Sequence, residues 1–222
     1  MIVVLQCAAR KHPQAGCMRL RDGRKVMFVA APESAPARPG LVFVHPDEMA
    51  DAGRTWREEL SRYNADPGAN FLGLMPAGQL YENPTYRLLA ERYGVSSFYI
   101  LSAGWGLIRA DFLTPAYDIT FSKSAEKYKR RRPKDVFADF RMLPETAKGP
   151  VVFFVSKEYV GLACQLTEEV EGPRHLFYNS AQAPNAPGVR LIRYETRTRT
   201  NWHYECAKAF AAGRIRIHEI NH

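Results

Sequence analysis

The chain has 222 residues, of which 46% are hydrophobic and 24% charged, a globular rather than a disordered balance. Thirty-one Lys and Arg stand against 23 Asp and Glu, a net charge of +8, which favours an anionic partner and, first among those, nucleic acid. No apolar run approaches the roughly 20 residues that span a bilayer, so the sequence predicts a soluble, cytoplasmic protein with no membrane partner.

In chain order, residues 2–5 (Ile-Val-Val-Leu) form an apolar β-branched run, as expected of a strand covered on both faces. The segment is too short for a signal peptide and has no basic residues before it. Residues 24–30 read as a second strand and residues 41–44 as a short third. His45-Pro46-Asp47 then predicts a helix start. Met49, Trp56, Leu60 and Tyr63 recur at helical spacing and carry that helix to about residue 64.

Asn83-Pro84 opens a helix through Tyr93, stopped by Gly94. Residues 97–101 are a clear buried strand, followed by Ser102-Ala103-Gly104-Trp105-Gly106. Residues 124–140 are polar and basic. Residues 151–155 predict a strand and residues 159–170 a helix. Short strands follow at 175–178 and 189–194, and a last helix at 201–212 ends before Gly213. Alternating strands and helices predict a single α/β domain over residues 1–222, with a mostly parallel sheet and helices on both faces. Ligands of such sheets sit beyond the carboxyl ends of the strands. That rule selects residues 6–11, 102–106, 156–159 and 195–203.

Gly104 and Gly106, directly after a buried strand, permit turns that a Cβ would block, or close approach of a ligand. Trp105 between them either stacks on a base or folds back onto the core. Asp118, downstream in Pro115-Ala116-Tyr117-Asp118, is the first candidate for a catalytic carboxylate and Asp111 the second; turn and cap roles are the alternatives. Such a carboxylate stabilises the positive charge that develops on a sugar when an N-glycosidic bond breaks. Arg109 offers a phosphate contact or a partner for Asp111.

Residues 196–203 (Thr-Arg-Thr-Arg-Thr-Asn-Trp-His) lead into the last helix. Arg197, Arg199 and Asn201 make an anion site at its amino terminus, with Thr200 or Asn201 as cap. Trp202 offers a stacking face and His203 a general acid or base, against a purely structural role. Lys127, Lys129, Arg130, Arg131, Arg132 and Lys134 put six cations within eight residues, a candidate contact for a nucleic-acid backbone; a solvated loop is the alternative. Cys7, Cys17, Cys164 and Cys206 form no CxxC pair, and the sequence calls for no metal and no cofactor.

The run LSAGWGLIRADFLTPAYDITFS, residues 101–122, resembles the central motif of the YaaA peroxide-stress family and its relatives. The amino-terminal strand ending in Cys7, followed by Arg10 and Lys11, and Gln79-Leu80-Tyr81 before a helix, are similar to the same proteins. The carboxyl-terminal third matches loosely: Arg197-Thr198-Arg199-Thr200-Asn201 stands where the family carries Lys-Lys-Ala-Arg-Gly. The resemblance implies DNA binding and a DNA glycosylase-like architecture. Together with the residues above it leads to a DNA glycosylase-like hydrolase that flips out and excises a base, with a modified base in foreign DNA as a candidate target. Cys7, Lys11, Ser102, Gly104, Trp105, Gly106, Arg109, Tyr117, Arg197, Arg199, Asn201 and Trp202 would bind substrate there, and Asp118, Asp111 and His203 would serve the chemistry. The alternatives are a non-catalytic DNA-binding stress protein, and an N-glycosidase or deoxyribosyltransferase acting on small nucleotides.

Overall fold

The computed structural model describes residues 1–198 and 200–217. Its framework is a seven-stranded sheet in the order β11-β10-β9-β1-β5-β6-β8. β1 (Ile2–Gln6) is central and pairs in parallel with β5 (Phe98–Ser102) on one side and β9 (Val151–Phe154) on the other. All three strands are almost wholly buried, which is why their sequences are continuous apolar runs rather than alternating ones. β10 (Arg174–Tyr178) and β11 (Arg190–Arg193) extend the sheet in parallel beyond β9. On the other edge β6 (Gly106–Arg109) runs antiparallel to β5, and β8 (Phe140–Arg141) pairs in parallel with β6.

Two small pairings lie outside this sheet. β2 (Lys25–Phe28) and β3 (Leu41–Val44) form a parallel pair, and β4 (Met75–Pro76) and β7 (Leu113–Thr114) an antiparallel one. Four α-helices are described: α1 (Trp56–Ala65), α2 (Pro84–Tyr93), α3 (Lys157–Leu166) and α4 (Trp202–Ala211). α2 carries the chain from β1 to β5, and α3 carries it from β9 to β10, in the opposite direction along the sheet. Right-handed crossovers therefore put α2 and α3 on opposite faces. α4 packs on α2 and over β9 and β10. The expected α/β domain with a mostly parallel sheet is thus the observed one. No helix among the described residues is long and apolar enough to cross a membrane.

The first helix differs from its expectation. It begins at Trp56, not near residue 45. Thr55 accepts a hydrogen bond from the Glu58 amide while the Glu58 carboxylate accepts one from the Thr55 amide, a complete capping box that fixes the start. Asp47 is used in tertiary structure instead: its carboxylate accepts from Arg57 Nε at 2.6 Å and from the Ala138 amide at 2.9 Å.

The glycine-rich turn after β5 is held by two buried arginines. Arg57 donates to the carbonyls of Gly104 and Trp105, and Arg131 to that of Ala103 at 2.9 Å. Arg131 also makes a two-pronged ion pair with Asp139, at 2.9 and 2.6 Å, with both side chains at 5% exposure or less. Breaking one half of a buried pair strands the other charge and costs about 3–5 kcal/mol. Asp139→Asn should therefore lower the urea midpoint by an amount equivalent to about 3 kcal/mol, with the slope unchanged. A loss well below about 1 kcal/mol would show that water already screens this pair.

A candidate active site at the carboxyl ends of the strands

The crossovers leave β1 and β9 in opposite directions, so the carboxyl ends of these neighbours form the switch point where open α/β sheets bind ligands. A cleft of about 1370 Å³ opens there. Residues 6–11 after β1 form one wall, and Ser156, Glu158 and Tyr159 at the start of α3 another. Asn201, His203 and Tyr204 at the start of α4 close the third side, and residues 118–126 with Lys129 the fourth. Gln6 ties the first two walls together, its side-chain oxygen accepting from the Ser156 amide at 2.5 Å.

Local pairing sets the fourth wall. The Asp118 amide donates to the Phe28 carbonyl, which pins residues 117–118 to the end of β2. Thr120 and residues 129–131 then exchange backbone hydrogen bonds, the Thr120 amide to the Lys129 carbonyl and the Arg131 amide to the Thr120 carbonyl. This brings Lys129 Nζ to 2.8 Å from Asp118 Oδ2 and to 2.5 Å from Glu126 Oε2. The two carboxylates push the Lys129 ammonium well above its ordinary pKa. Asp118, 40% exposed, is thus a carboxylate at the cleft wall with a permanent counter-ion.

The cleft floor is a thiol and a set of phenols. Cys7 Sγ lies 3.2 Å from the Tyr159 hydroxyl and accepts a long hydrogen bond from the Ala103 amide. Behind it Ser102 Oγ donates to the Tyr117 hydroxyl at 2.8 Å, and the hydroxyls of Tyr117 and Tyr81 are 2.8 Å apart. Burial raises the pKa of Tyr81, Tyr117 and Tyr159 far above the ordinary phenol, so all three keep their protons. Lys11 Nζ stands 4.1 Å from the centre of the Tyr117 ring. Its backbone is pinned by a bridge to Tyr81.

Several expected site residues do not reach the cleft. Trp105 is 0% exposed, edge-on to Phe28 at 4.9 Å and under the Arg57 guanidinium, so it cannot stack on an incoming base. Ser102 and Tyr117 lie beneath the floor rather than in it. Gly106 does have the expected positive φ of 84°, but a Cβ there would meet the Phe140 carbonyl oxygen at 2.7 Å and not ligand space. Gly104 packs on the Tyr117 and Ile119 side chains in the same way.

Arg109 and Asp111 form an exposed ion pair at 2.6 Å. Because β6 returns antiparallel, with Arg109 opposite Tyr99, they sit at the far end of the sheet from the cleft. Trp202 is buried and Arg197 exposed, and neither lines the cleft; Arg199 lies outside the described residues. The six-cation segment also divides. Lys129 is bound to Asp118, Arg130 donates to the Ala125 carbonyl, and Arg131 is core. Lys127, Arg132 and Lys134 are exposed.

The structure brings together Cys7, Lys11, Asp118, Asn201 and His203. It adds Glu82, a reserve carboxylate in the sequence reading, and Tyr159, Glu158 and Glu126, none of which stood out as a site residue. The loop at residues 156–159 was selected by topology, but a Tyr in the first turn of an amphipathic helix carries no signal of its own. Among the described residues no three His, Cys, Asp or Glu side chains group closely enough to hold a metal ion. No family model, curated protein or solved structure matches the chain.

His203 is 6% exposed, and its Nε2 has no hydrogen-bond partner among the described residues. Burial pushes its pKa down to about 4, so the imidazole is neutral at pH 7. The unfolded chain takes up this proton below its ordinary pKa near 6.5, whereas the folded chain resists until about 4. Stability must therefore fall as pH drops through that window, by about 3 kcal/mol from this residue. Urea melts at pH 7 and pH 4 should show His203→Phe losing less stability than the parent by that order; equal losses would mean the ring is hydrated and titrates normally.

Proposed function

We propose that the cleft at the β1/β9 switch point cleaves an N-glycosidic bond of a nucleotide in nucleic acid. The observation that carries this reading is Asp118, a carboxylate paired with Lys129 at the wall of a cleft large enough for a nucleotide. Breaking the base–sugar bond develops positive charge at the sugar, and a carboxylate at van der Waals range stabilises that charge or orients water onto it. Lys129 holds the carboxylate in place, 2.8 Å from its ammonium. Tyr159 and Tyr204, rather than Trp105 and Tyr117, offer aromatic surface to a flipped base. Arg10, Lys123 and Lys127 are exposed at or beside the mouth, where a phosphate backbone would run. The resemblance of residues 101–122 to the YaaA family supports the same choice of partner.

One observation favours a second reading, a nucleosidase or deoxyribosyltransferase for small nucleotides. Half of the basic segment is engaged by the protein's own groups, which leaves Lys127, Arg132 and Lys134 of that segment to meet a polyanion. Replacing these three by Ala separates the readings. For a DNA substrate, affinity falls and the slope of log K against log salt flattens by about 0.9 for each phosphate no longer neutralised. For a small substrate, turnover is unchanged.

The decisive assay is single-turnover base release, read by mass spectrometry, over a panel of modified and unmodified oligonucleotides and nucleosides. Asp118→Asn keeps the shape of the side chain and removes its charge. It should bind the same oligonucleotide as the parent does and release base at least about a hundredfold more slowly, about 2.7 kcal/mol of transition-state stabilisation. Equal release by parent and variant would remove Asp118 from the chemistry. No release from any substrate by the parent would leave DNA binding as the better account.

A further inference from the structure

Two of the lysines that line the cleft differ in what answers their charge. Lys129 is clamped by Asp118 and Glu126. Lys11 makes no ion pair among the described residues; its ammonium stands over the face of Tyr117, 4.1 Å from the ring centre. Nor is its position loose. The Lys11 backbone bridges to Tyr81, and the next amide, that of His12, donates to the Leu80 carbonyl at 2.8 Å. The chain thus holds a half-buried amine at the cleft wall, beside Cys7 and within electrostatic reach of Asp118, without neutralising it.

An ammonium used only to bind phosphate is best left fully charged and hydrated. Here burial lowers the pKa of Lys11, with Lys129 acting in the same direction and Cys7 and Asp118 opposing. A larger fraction of free amine is the property that nucleophilic lysines need, since only the unprotonated nitrogen has a lone pair to give.

We propose that Lys11 is an amine nucleophile that condenses with the C1′ aldehyde of a base-free deoxyribose, so that the cleft cuts the strand at abasic sites. The proposal rests on the reading that the cleft accepts a nucleotide sugar. The Lys11 lone pair attacks the aldehyde carbon, and the carbonyl oxygen takes up a proton. Loss of water leaves a protonated imine. The C2′ proton then passes to the Asp118 carboxylate, its electron pair forms the C2′–C3′ double bond, and the C3′–O bond breaks with the phosphate leaving as the anion. Water adds to the imine carbon, the C–N bond breaks, and the free amine returns as the unsaturated aldehyde departs. No oxidant or reductant takes part.

The test uses the full chain and a duplex in which one abasic site has been made beforehand, so that base release is not needed. Incubation with cyanoborohydride reduces the imine to a stable amine and traps a protein–DNA adduct. Tryptic mapping of the parent adduct should place it on Lys11, and Lys11→Arg should form about tenfold less adduct or lower still at duplex concentrations that saturate each protein. An adduct on another amine, no adduct with the parent, or undiminished trapping by Lys11→Arg would overturn the proposal. Mapping on the parent protein decides the matter even where the variant folds poorly. Failure here leaves the Asp118 base-release assay standing, and failure of base release leaves this result standing.

Discussion

The parallel pairing of β1 between β5 and β9 is the constraint on which the rest of the molecule depends. Parallel neighbours need crossovers, and the crossovers leave this strand and β9 in opposite directions. The loops that follow the two strands therefore part company and leave a cleft between them. Most side chains of the candidate site are placed by that divergence: Cys7 and Lys11 just after β1, Tyr159 just after β9, His203 at the helix that returns over the sheet. A change of register in β1 would exchange its two buried faces and move Cys7 away from Tyr159.

The glycine-rich motif serves this arrangement from behind. Residues 103–105 turn so tightly that their carbonyls are buried, and buried carbonyls need donors. Arg131 supplies one to Ala103 and Arg57 one to Gly104, while Trp105 accepts from the Phe140 amide as well as from Arg57; each arginine has its own carboxylate, Asp139 and Asp47. The positive charges most suggestive of nucleic-acid contact thus include one whose work is to hold a turn. The same turn aims the Ala103 amide at Cys7, so the motif shapes the cleft floor without entering it.

Much of the fold was legible because the central strands are long apolar runs and some helices are well punctuated: Asn83-Pro84 and Gly94 bound α2 where the structure has it. Less legible was whatever depends on long-range pairing. The expected helix start at residue 45 failed because Asp47, well suited to a first helical turn, is recruited by Arg57 and Ala138 from distant parts of the chain. The return of β6 could not be read from Gly106-Leu107-Ile108-Arg109, and that one reversal carries Arg109 and Asp111 to the wrong end of the sheet. In the site, topology picked three of the four wall loops, yet Trp105 was open to either reading: composition cannot say whether an indole between glycines faces a ligand or Phe28. Asp118 and Lys11 were found because they stand in or beside segments marked by strand ends and the glycine motif. Their division of labour, one clamped by Lys129 and the other without an ion pair among the described residues, depends on distances that no sequence pattern carries.

The central claim is that ligand occupies the cleft between β1 and β9 and not the glycine turn. Amide hydrogen exchange tests it most directly, since residues 8–10 and 122–126 are loop segments whose amides exchange readily unless covered. Exchange should be measured with and without the oligonucleotide or nucleoside that the protein binds. Slowed exchange at residues 8–11, 118–126 and 201–204, with residues 104–111 unchanged, is the predicted result. Slowing confined to residues 104–111, or none at the cleft walls, would contradict the account.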